Sequence, residues 1–445
     1  MLTMIYSLGH VANPEQSLVE LTMTQPYCVT FDFEHTQSYL PGNPVISLTA
    51  LVLVTKGDTQ CSVVPRTEVP SDDGNPDNAF SNTLRLWHSP SVSLTQPWLL
   101  ETVRIPKPWG AEIWYTGIEQ RGVCTVAGIP LPWLLSIAPG RVLGDQNANE
   151  PLLLKILDPL PDPGYGDLYF ELHREKREVY VVTHLDGVAW PDGIGQIRYG
   201  FNQGKVSQFT DIDSFKSAYL RSAETYQSTR NEIDSLLDEH KLELGLVTSD
   251  PVSPDLMMQW QAALPDELTQ CEEEHKQDMY SYTQLRDLKV GDVIRVDPHQ
   301  PHSLQHGVRV IEFQTPHYER MILSFTQKVL TQNQWDTESA LVDAITDIKE
   351  ETPLDVIDNS DEYKVESVAA FPEFSVYRIT VRAHTTYQRW IERYCLVIGV
   401  TGNAKISGKT IKPEQGYLLP ASASSLDLTT TDNEAVILIA EPASI

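Results

Sequence analysis

The chain has 445 residues, of which 41% are hydrophobic, and its formal net charge is −28 at pH 7. This length exceeds that of one compact domain, so two or three domains are expected. The strong acidity argues against nucleic acid as a partner, because phosphate binding requires clustered lysine and arginine. A small anionic substrate stays open, since a pocket can be locally basic inside an acidic protein.

Cysteine usage and hydropathy predict a cytoplasmic protein without a membrane partner. The five cysteines show no CxxC spacing, which indicates reduced thiols and no thiolate zinc site. Residues 1–10 lack a basic segment followed by an apolar stretch, so no signal peptide is expected. The apolar runs, such as 48–54, are far shorter than the ~20 residues that span a bilayer.

In chain order, short strands broken by polar turns are predicted over 1–205, followed by a change to helical character. Apolar residues recur at helical spacing from Ile212 to Leu237, with Asp211 as a candidate N-cap and Gly245 beyond the end. A second helical stretch begins at Pro254. Strand character then resumes, which indicates a helical insertion between two β segments.

The informative segment for chemistry runs from 170 to 180. Glu171 and His173 are two residues apart, so on a strand both side chains point to the same face. Glu178 lies at odd spacing from His173, and a loop over 174–177 would return it to the same pocket from the next strand. One imidazole and two carboxylates so placed are suitable ligands for a divalent metal.

A fourth ligand is predicted in a later segment. A turn at Gly291, a strand over 293–296 and a proline-containing loop precede His302, a pattern that resembles the segment presenting the last ligand in cupins. For the neighbouring His299 and His306, as for His317, a surface or hydrogen-bonded role is expected. His302 is therefore the predicted fourth ligand.

Several segments resemble the phosphomannose isomerases, a family of the cupin superfamily. The run Trp109–Trp114 resembles their WG and AELW segments, and PLLLKIL at 151–157 resembles their strand with a buried lysine. Phe170–His173 stands where the family has a glutamine-x-histidine ligand pair, and Lys176–Glu178 resembles its K-x-E motif. The segment from Glu312 to Arg320 resembles a later stretch that lines the sugar pocket.

The resemblance covers roughly 101–205 and 289–330 and continues weakly to 441. It implies a mainly β fold of two cupin-type, jelly-roll barrels with a helical insertion and an N-terminal β extension. The implied domains are as follows: a β-rich extension at 1–100, a metal-binding cupin at 101–335 with its insertion at about 211–288, and a metal-free cupin-like barrel at 363–445. From 365 onward the single histidine is His384, and one imidazole rarely holds a metal alone.

The resemblance also implies the site residues. One divalent metal, commonly zinc, would be held by four side chains: Glu171, His173, Glu178 and His302. Substrate contacts are implied for Glu112, Lys176 and Trp109, and catalytic roles for Glu312, Lys155 and Arg320.

Ordinary structural or surface roles stay open for some of these residues. Trp109 is equally explained as a core residue, Glu112 as a structural carboxylate, and Lys176 and Arg320 as surface charges. Lys155 is harder to explain in that way, because a buried ammonium is costly without a partner.

Two departures from the family pattern matter for function. Glu171 replaces the usual glutamine, which adds a negative charge to the ligand set and makes the metal a weaker Lewis acid. The loop between Glu312 and Arg320 is shorter than in the family and lacks its S-S-D run. The metal site stays plausible, and the identity of the substrate is the part left open.

Three functions compete. The first is an aldose–ketose isomerase acting on a sugar phosphate, by resemblance mannose 6-phosphate and fructose 6-phosphate, with Glu312 or Lys155 moving the proton. The second is a non-catalytic or regulatory sugar-binding cupin. The third is an iron oxygenase, which two carboxylates among four ligands fit less well. The oligomeric state is open.

Overall fold

The computed structural model describes residues 5–21, 26–69, 75–145, 150–248, 250, 252–330, 332, 334–347 and 352–443. Residues 1–4, on which the signal-peptide expectation partly rests, lie outside the described residues. Within the described residues no helix is long and apolar enough to cross a membrane. The five cysteines are free thiols, as predicted.

Two compact units are present. The first contains the described parts of Met1–Arg104, Trp114–Lys155 and Leu354–Ile445, and the second contains Ile105–Ile113 and the described parts of Ile156–Pro353. The first unit is built mainly from β-strands, whereas the second combines β-sheets with the long helix Ile212–Glu243 and the helix Asp266–Ser281.

The described helices confirm the predicted helical stretch after residue 211. They are Pro14–Val19, Pro76–Trp87, Leu131–Ile137, Pro139–Leu143, Gln203–Val206, Ile212–Glu243, Pro254–Gln261, Asp266–Ser281 and Thr337–Asp343, with a 3₁₀ turn at Ala421–Ala423. The Asp211 side chain accepts a hydrogen bond from the main-chain N–H of Ser214 and so caps the longest helix. The helix Asp266–Ser281, which the sequence reasoning did not predict, packs against it.

The first unit holds four of the sheets formed by the described strands. A five-stranded sheet has the order Ile5–His10, Tyr27–Thr36, Val45–Val54, Thr59–Pro65 and Val92–Ser93. A nine-stranded sheet has the order Ile129–Pro130, Thr125–Val126, Trp98–Glu101, Gly416–Leu419, Cys395–Thr401, Glu434–Pro442, Phe374–Arg382, Tyr363–Ala370 and Asp355–Asn359. A four-stranded sheet has the order Thr386–Trp390, Ser425–Thr430, Ala404–Ile406 and Lys409–Ile411, and Ile118–Glu119 pairs with Gly122–Val123.

The strands after residue 355 enclose an apolar cluster, here called the C-terminal core. It contains Val365, Ile379, Val381, Tyr387, Ile391, Cys395, Val397, Ala404, Ile406, Ile411, Tyr417, Leu419, Leu426, Leu428, Ala435, Ile437 and Ile439. Apolar and outward-facing residues alternate along these strands, as in Ser425–Thr430, which explains why strands form here.

Two further sheets lie mainly in the second unit. One has the order Val293–Val296, Glu178–Leu185, Val308–Gln314, Leu153–Pro159, Gly110–Trp114 and Val103–Lys107. The other has the order Thr283–Leu288, Gly195–Phe201, His302–Leu304, Phe170–Leu172 and Met321–Ser324. Side chains from both sheets share one apolar cluster, here called the site core, which includes Tyr180, Val182, Ile197, Tyr199, Ile294, Leu304, Val310 and Ile322.

Candidate metal centre and substrate pocket

The five-stranded sheet of the second unit brings two predicted ligands face to face. Glu171 and His302 are direct partners in the antiparallel pair of Phe170–Leu172 with His302–Leu304. Directly opposed residues project to the same face of a sheet. His173 follows the first strand immediately, and its ring lies 5.2 Å from that of His302, centroid to centroid.

The six-stranded sheet supplies the remaining predicted ligand. Glu178 is the first residue of its strand, after the predicted loop at 174–177, and Tyr180 points to the same face two residues later. Across the sheet Glu178 pairs with Gln314 and Tyr180 pairs with Glu312. This face therefore presents an array of buried polar side chains to the interior.

The four predicted ligands lie close together. Donor atoms of Glu171, His173 and His302 all lie within 4.8 Å of one another. The Oε2 atom of Glu178 lies 3.4 Å from Nε2 of His173 and 3.2 Å from Nε2 of His302. Three of these residues are almost completely buried, while the Glu171 side chain is 17% exposed. The geometry thus converges from two sheets on one interior point.

The charge states suit metal ligands. Burial by itself raises the pKa of Glu178, but the Lys176 ammonium and the His173 and His302 rings outweigh it, so this pKa lies well below its ordinary value. Burial lowers the pKa of His173, and the Lys176 ammonium lowers it further. A charged carboxylate and a neutral imidazole are the forms in which these groups bind metals.

A count of protons tests whether a cation fits. Nδ1 of His302 lies 3.0 Å from the main-chain oxygen of Gln300. That oxygen only accepts, so the proton of a neutral His302 ring is on Nδ1 and Nε2 presents a lone pair. Neither ring nitrogen of the buried His173 has a hydrogen-bond partner among the described residues. Two imidazole nitrogens and two carboxylates thus converge on one point, and nitrogen and carboxylate donors of this kind fit a divalent metal such as zinc.

The Lys176 ammonium is buried and lies 2.5 Å from Oε1 of Glu178, so the surface alternative for Lys176 is wrong. The backbone around it is fixed by Glu319, whose Oε1 accepts hydrogen bonds from the main-chain N–H groups of Glu175 and Lys176. The loop over 174–177 is therefore anchored, and it presents both Lys176 and Glu178 to the interior.

Arg320 lies beside the first ligand. Its Nε atom is 3.8 Å from Oε2 of Glu171, and its guanidinium stacks over the Tyr169 ring, 4.3 Å from the centroid. The side chain stays 21% exposed. The extra negative charge that Glu171 introduces is thus balanced locally by Arg320.

The other predicted site residues are buried. Glu112 lies 3.2 Å from the Lys107 ammonium, which agrees with the alternative of a paired carboxylate. Trp109 packs in the site core, as its core alternative requires. Glu312 is buried on the strand Val308–Gln314, opposite Tyr180, and Lys155 is buried on the strand Leu153–Pro159.

The histidines that were not predicted to be ligands have other surroundings. Nδ1 of His306 lies within hydrogen-bond distance of Oδ1 of Asp167, at 2.8 Å, and the ring stacks on Trp190. His299 has a positive φ of 67°, and its main-chain N–H donates to the main-chain oxygen of His173. His317 is exposed.

Two residues at the site were missed by the sequence reasoning. Tyr180 was detectable, because its spacing of two from Glu178 predicts the same strand face. Glu319 gave no such signal, because it reaches the loop at 174–177 from a distant part of the chain.

Comparison with known proteins gives a result at the level of the fold. No protein-family model matches the chain, and no curated protein matches it in sequence. Solved structures do match. Mannose 6-phosphate isomerase from Bacillus subtilis has a TM-score of 0.52 and 15% identity, covering 78% of this chain and 99% of that chain.

Two further structures agree. The apo form of mannose 6-phosphate isomerase from Salmonella typhimurium gives a TM-score of 0.53 at 12% identity, covering 78% of this chain and 99% of that chain. A mannose 6-phosphate isomerase bound with zinc and yttrium gives a TM-score of 0.53 at 12% identity, covering 78% of this chain and 100% of that chain. The chain is thus a mainly β protein with the fold of mannose 6-phosphate isomerases.

Proposed function

We propose that this chain is a metal-dependent aldose–ketose isomerase acting on a sugar phosphate, with mannose 6-phosphate and fructose 6-phosphate as the first candidate pair. The observation that carries the proposal is the convergence of Glu171, His173, Glu178 and His302 on one buried point. The likeness in fold to mannose 6-phosphate isomerases supports it. We assign the four side chains as ligands of one divalent metal, with zinc as the first candidate.

When bound, the metal would polarise an oxygen of the sugar next to the carbon that loses its proton. A general base must then move a proton between C1 and C2. We favour Glu312, because it is buried and lies directly opposite Tyr180 on the strand that pairs with the strand of Glu178. Lys155 is the alternative base.

The phosphate group of the substrate requires a positively charged side chain to bind it. Arg320 is the proposed phosphate-binding group, because its guanidinium is partly exposed and has the planar geometry that matches phosphate oxygens. Glu112, Lys176 and Trp109 are proposed to contact the sugar. Lys176 has a second task, because its ammonium already lies against Glu178.

The broader organisation remains part of the proposal. It comprises two cupin-type jelly-roll barrels, a metal-binding domain at 101–335 with an insertion at about 211–288, a metal-free barrel at 363–445 and an extension at 1–100. A cytoplasmic location is proposed as well.

A second candidate function is a sugar-binding cupin that keeps the metal and lacks turnover. The contact of Arg320 with Glu171 favours this alternative, because a guanidinium that already balances a carboxylate attracts a phosphate less strongly. In that case a sugar without a phosphate group would bind as well as its phosphate ester does.

The decisive experiment combines elemental analysis of the purified protein with isomerase assays over a panel of sugar phosphates. The proposal requires about one divalent metal per chain and interconversion of at least one aldose–ketose pair. Glu312→Gln should keep the metal and abolish turnover. Metal with sugar binding and no turnover would support the second candidate. Bound iron with oxygen consumption would support an oxygenase and overturn both.

A further inference from the structure

Tyr180 contributes a buried hydroxyl group to the candidate metal site. It lies two residues after Glu178 on the same strand, so both side chains point to the same face. Its hydroxyl donates a hydrogen bond of 2.6 Å to Oε2 of Glu178, and it lies 3.1 Å from Nε2 of His302. Tyr180 therefore touches two of the four candidate ligands.

The two contacts of the Tyr180 hydroxyl differ in which atom carries the proton. A phenolic hydroxyl has one proton, and Glu178 accepts it. Nδ1 of His302 lies 3.0 Å from the Gln300 main-chain oxygen, which only accepts, so Nε2 is the ring nitrogen that can give a lone pair to a cation. Because Tyr180 gives its single proton to Glu178, it does not occupy the lone pair of His302 Nε2, and a cation can bind there.

Two donors hold the Glu178 carboxylate from opposite ends. The Lys176 ammonium lies 2.5 Å from Oε1, and the Tyr180 hydroxyl bonds to Oε2. A carboxylate oxygen has two lone pairs, so Oε2 can accept from Tyr180 and still coordinate a metal. With both oxygens held in this way, the carboxylate has little freedom to rotate away from the two histidines.

A role in packing alone does not explain the hydroxyl. The ring of Tyr180 belongs to the site core, where phenylalanine would fill nearly the same volume. A buried hydroxyl costs free energy unless it forms a hydrogen bond, so its presence requires a partner. The described partners of this one are Glu178 and His302.

We propose that Tyr180 is a positioning residue of the metal site, whose hydroxyl fixes Oε2 of Glu178 toward His302 so that both bind one divalent cation. This inference rests on the proposed function, because it takes Glu178 and His302 to be metal ligands. Tyr180 would act on the reaction indirectly, by holding the Glu178 ligand in place.

The test is Tyr180→Phe, with Tyr199→Phe as the matched control. Tyr199 belongs to the same site core, but its hydroxyl donates to the main-chain oxygen of Arg295 instead of a candidate ligand. Each variant is stripped of metal, and its affinity for Zn²⁺ is measured by competition with a chelator. The visible absorption spectrum of the Co²⁺-loaded protein reports the geometry of the ligands independently of activity.

We expect Tyr180→Phe to bind Zn²⁺ about 10–100-fold more weakly than the unmodified protein, the range for loss of a group that orients a metal ligand. Its Co²⁺ spectrum should change in band position or intensity. Tyr199→Phe should keep both the affinity and the spectrum, while its melting temperature without metal falls about as much as that of Tyr180→Phe.

The outcomes separate the two levels of the proposal. An unmodified chain that binds neither Zn²⁺ nor Co²⁺ would overturn the proposed function, and the role of Tyr180 with it. Metal binding by the unmodified chain with equal affinity in Tyr180→Phe would overturn this inference alone. Equal losses of affinity in both variants would also overturn it, because they would indicate a general loosening of the core.

Discussion

The C-terminal core and the site core are both enclosed by β-strands, but their interiors differ in chemistry. In the C-terminal region, no Asp, Glu, His, Lys or Arg side chain is buried among the described residues from 355 to 443. The site core adjoins a group of buried charged or titratable side chains that includes His173, Glu178, His302 and Glu312. Similar strands thus enclose an apolar filling in one region and an ionisable centre in the other.

This contrast separates residues that stabilise the fold from residues that have another role. Apolar burial stabilises a fold, whereas burial of charged groups costs free energy unless each group is paired or bound to a metal. The pairs at the site, such as Lys176 with Glu178, offset part of that cost. Nε2 of His173 forms no hydrogen bond among the described residues and lies 3.4 Å from Oε2 of Glu178, so a metal held between them would satisfy both atoms.

The largest expected effect comes from removing a ligand that joins the two sheets. His302→Ala should lower metal affinity by more than the roughly 100-fold that marks the loss of an orienting group, and abolish any isomerase activity. Elemental analysis after gel filtration and chelator competition measure it. The substitution makes the site more like the C-terminal core, which is predicted to bind no metal.

His306→Ala is the control for that variant. It removes the hydrogen bond of the ring to Asp167 and so destabilises the fold, but the metal content per folded chain should stay near one. If both variants lose the metal to the same extent, the segment at 302–306 is generally fragile. Loss in His306→Ala alone would contradict the choice of His302.

The next effect concerns the pair that holds Glu178. Lys176→Met should destabilise the metal-free protein by about 3–5 kcal/mol, because it leaves a buried carboxylate without its cation. Adding Glu178→Leu should recover most of that loss, since an apolar pair of similar volume needs no counter-charge. Guanidinium unfolding with a chelator present gives both values.

Lys328→Met provides the comparison for that pair. Its ammonium also lies 2.5 Å from a carboxylate, that of Asp238, but both side chains are between 20 and 30% exposed. We therefore expect a loss of no more than about 1 kcal/mol. A double variant no more stable than Lys176→Met alone would show that the cost lies in packing rather than charge.

A smaller effect is expected from Glu171→Gln. Glutamine keeps one oxygen donor of the same reach, so the metal should stay, with affinity changed by less than about tenfold. Removal of one negative charge should strengthen the metal as a Lewis acid, so any isomerase activity should survive or rise. It also releases Arg320 from its carboxylate partner, which should lower the KM for a phosphorylated sugar. An empty site would mean that the charge of Glu171 is essential.

Local sequence pattern predicted much of what is regular in this molecule. Strand periodicity predicted the strand that carries Glu171, with His173 one residue beyond its end, and the loop before Glu178, and helix chemistry predicted the Asp211 cap. Contacts that depend on distant segments could not be predicted in that way. Glu319 reaches the loop at 174–177 over more than 140 residues, and no local periodicity encodes such a contact.

The mildest prediction concerns a buried carboxylate of the second unit outside the ligand set. Burial raises the pKa of Asp167, but hydrogen bonds from the His306 ring and main-chain N–H outweigh it, so the pKa lies below its ordinary value. A carboxyl group with a depressed pKa contributes stability that is present above its unfolded pKa of about 3.9 and is lost as the pH falls through the folded pKa. The C-terminal core has no buried carboxylate among the described residues, so this acid sensitivity belongs to the second unit.

Asp167→Asn should therefore lower the free energy of unfolding by about 1–3 kcal/mol at pH 7, by loss of the charged hydrogen bonds to His306. The difference from the unmodified chain should shrink as the pH falls from about 4 toward the folded pKa. Urea unfolding between neutral pH and pH 3 measures it. The exposed Asp287 is the control, and Asp287→Asn should change stability by no more than about 0.5 kcal/mol. A difference between Asp167→Asn and the unmodified chain that grows toward low pH would reverse the sign and contradict the depressed pKa.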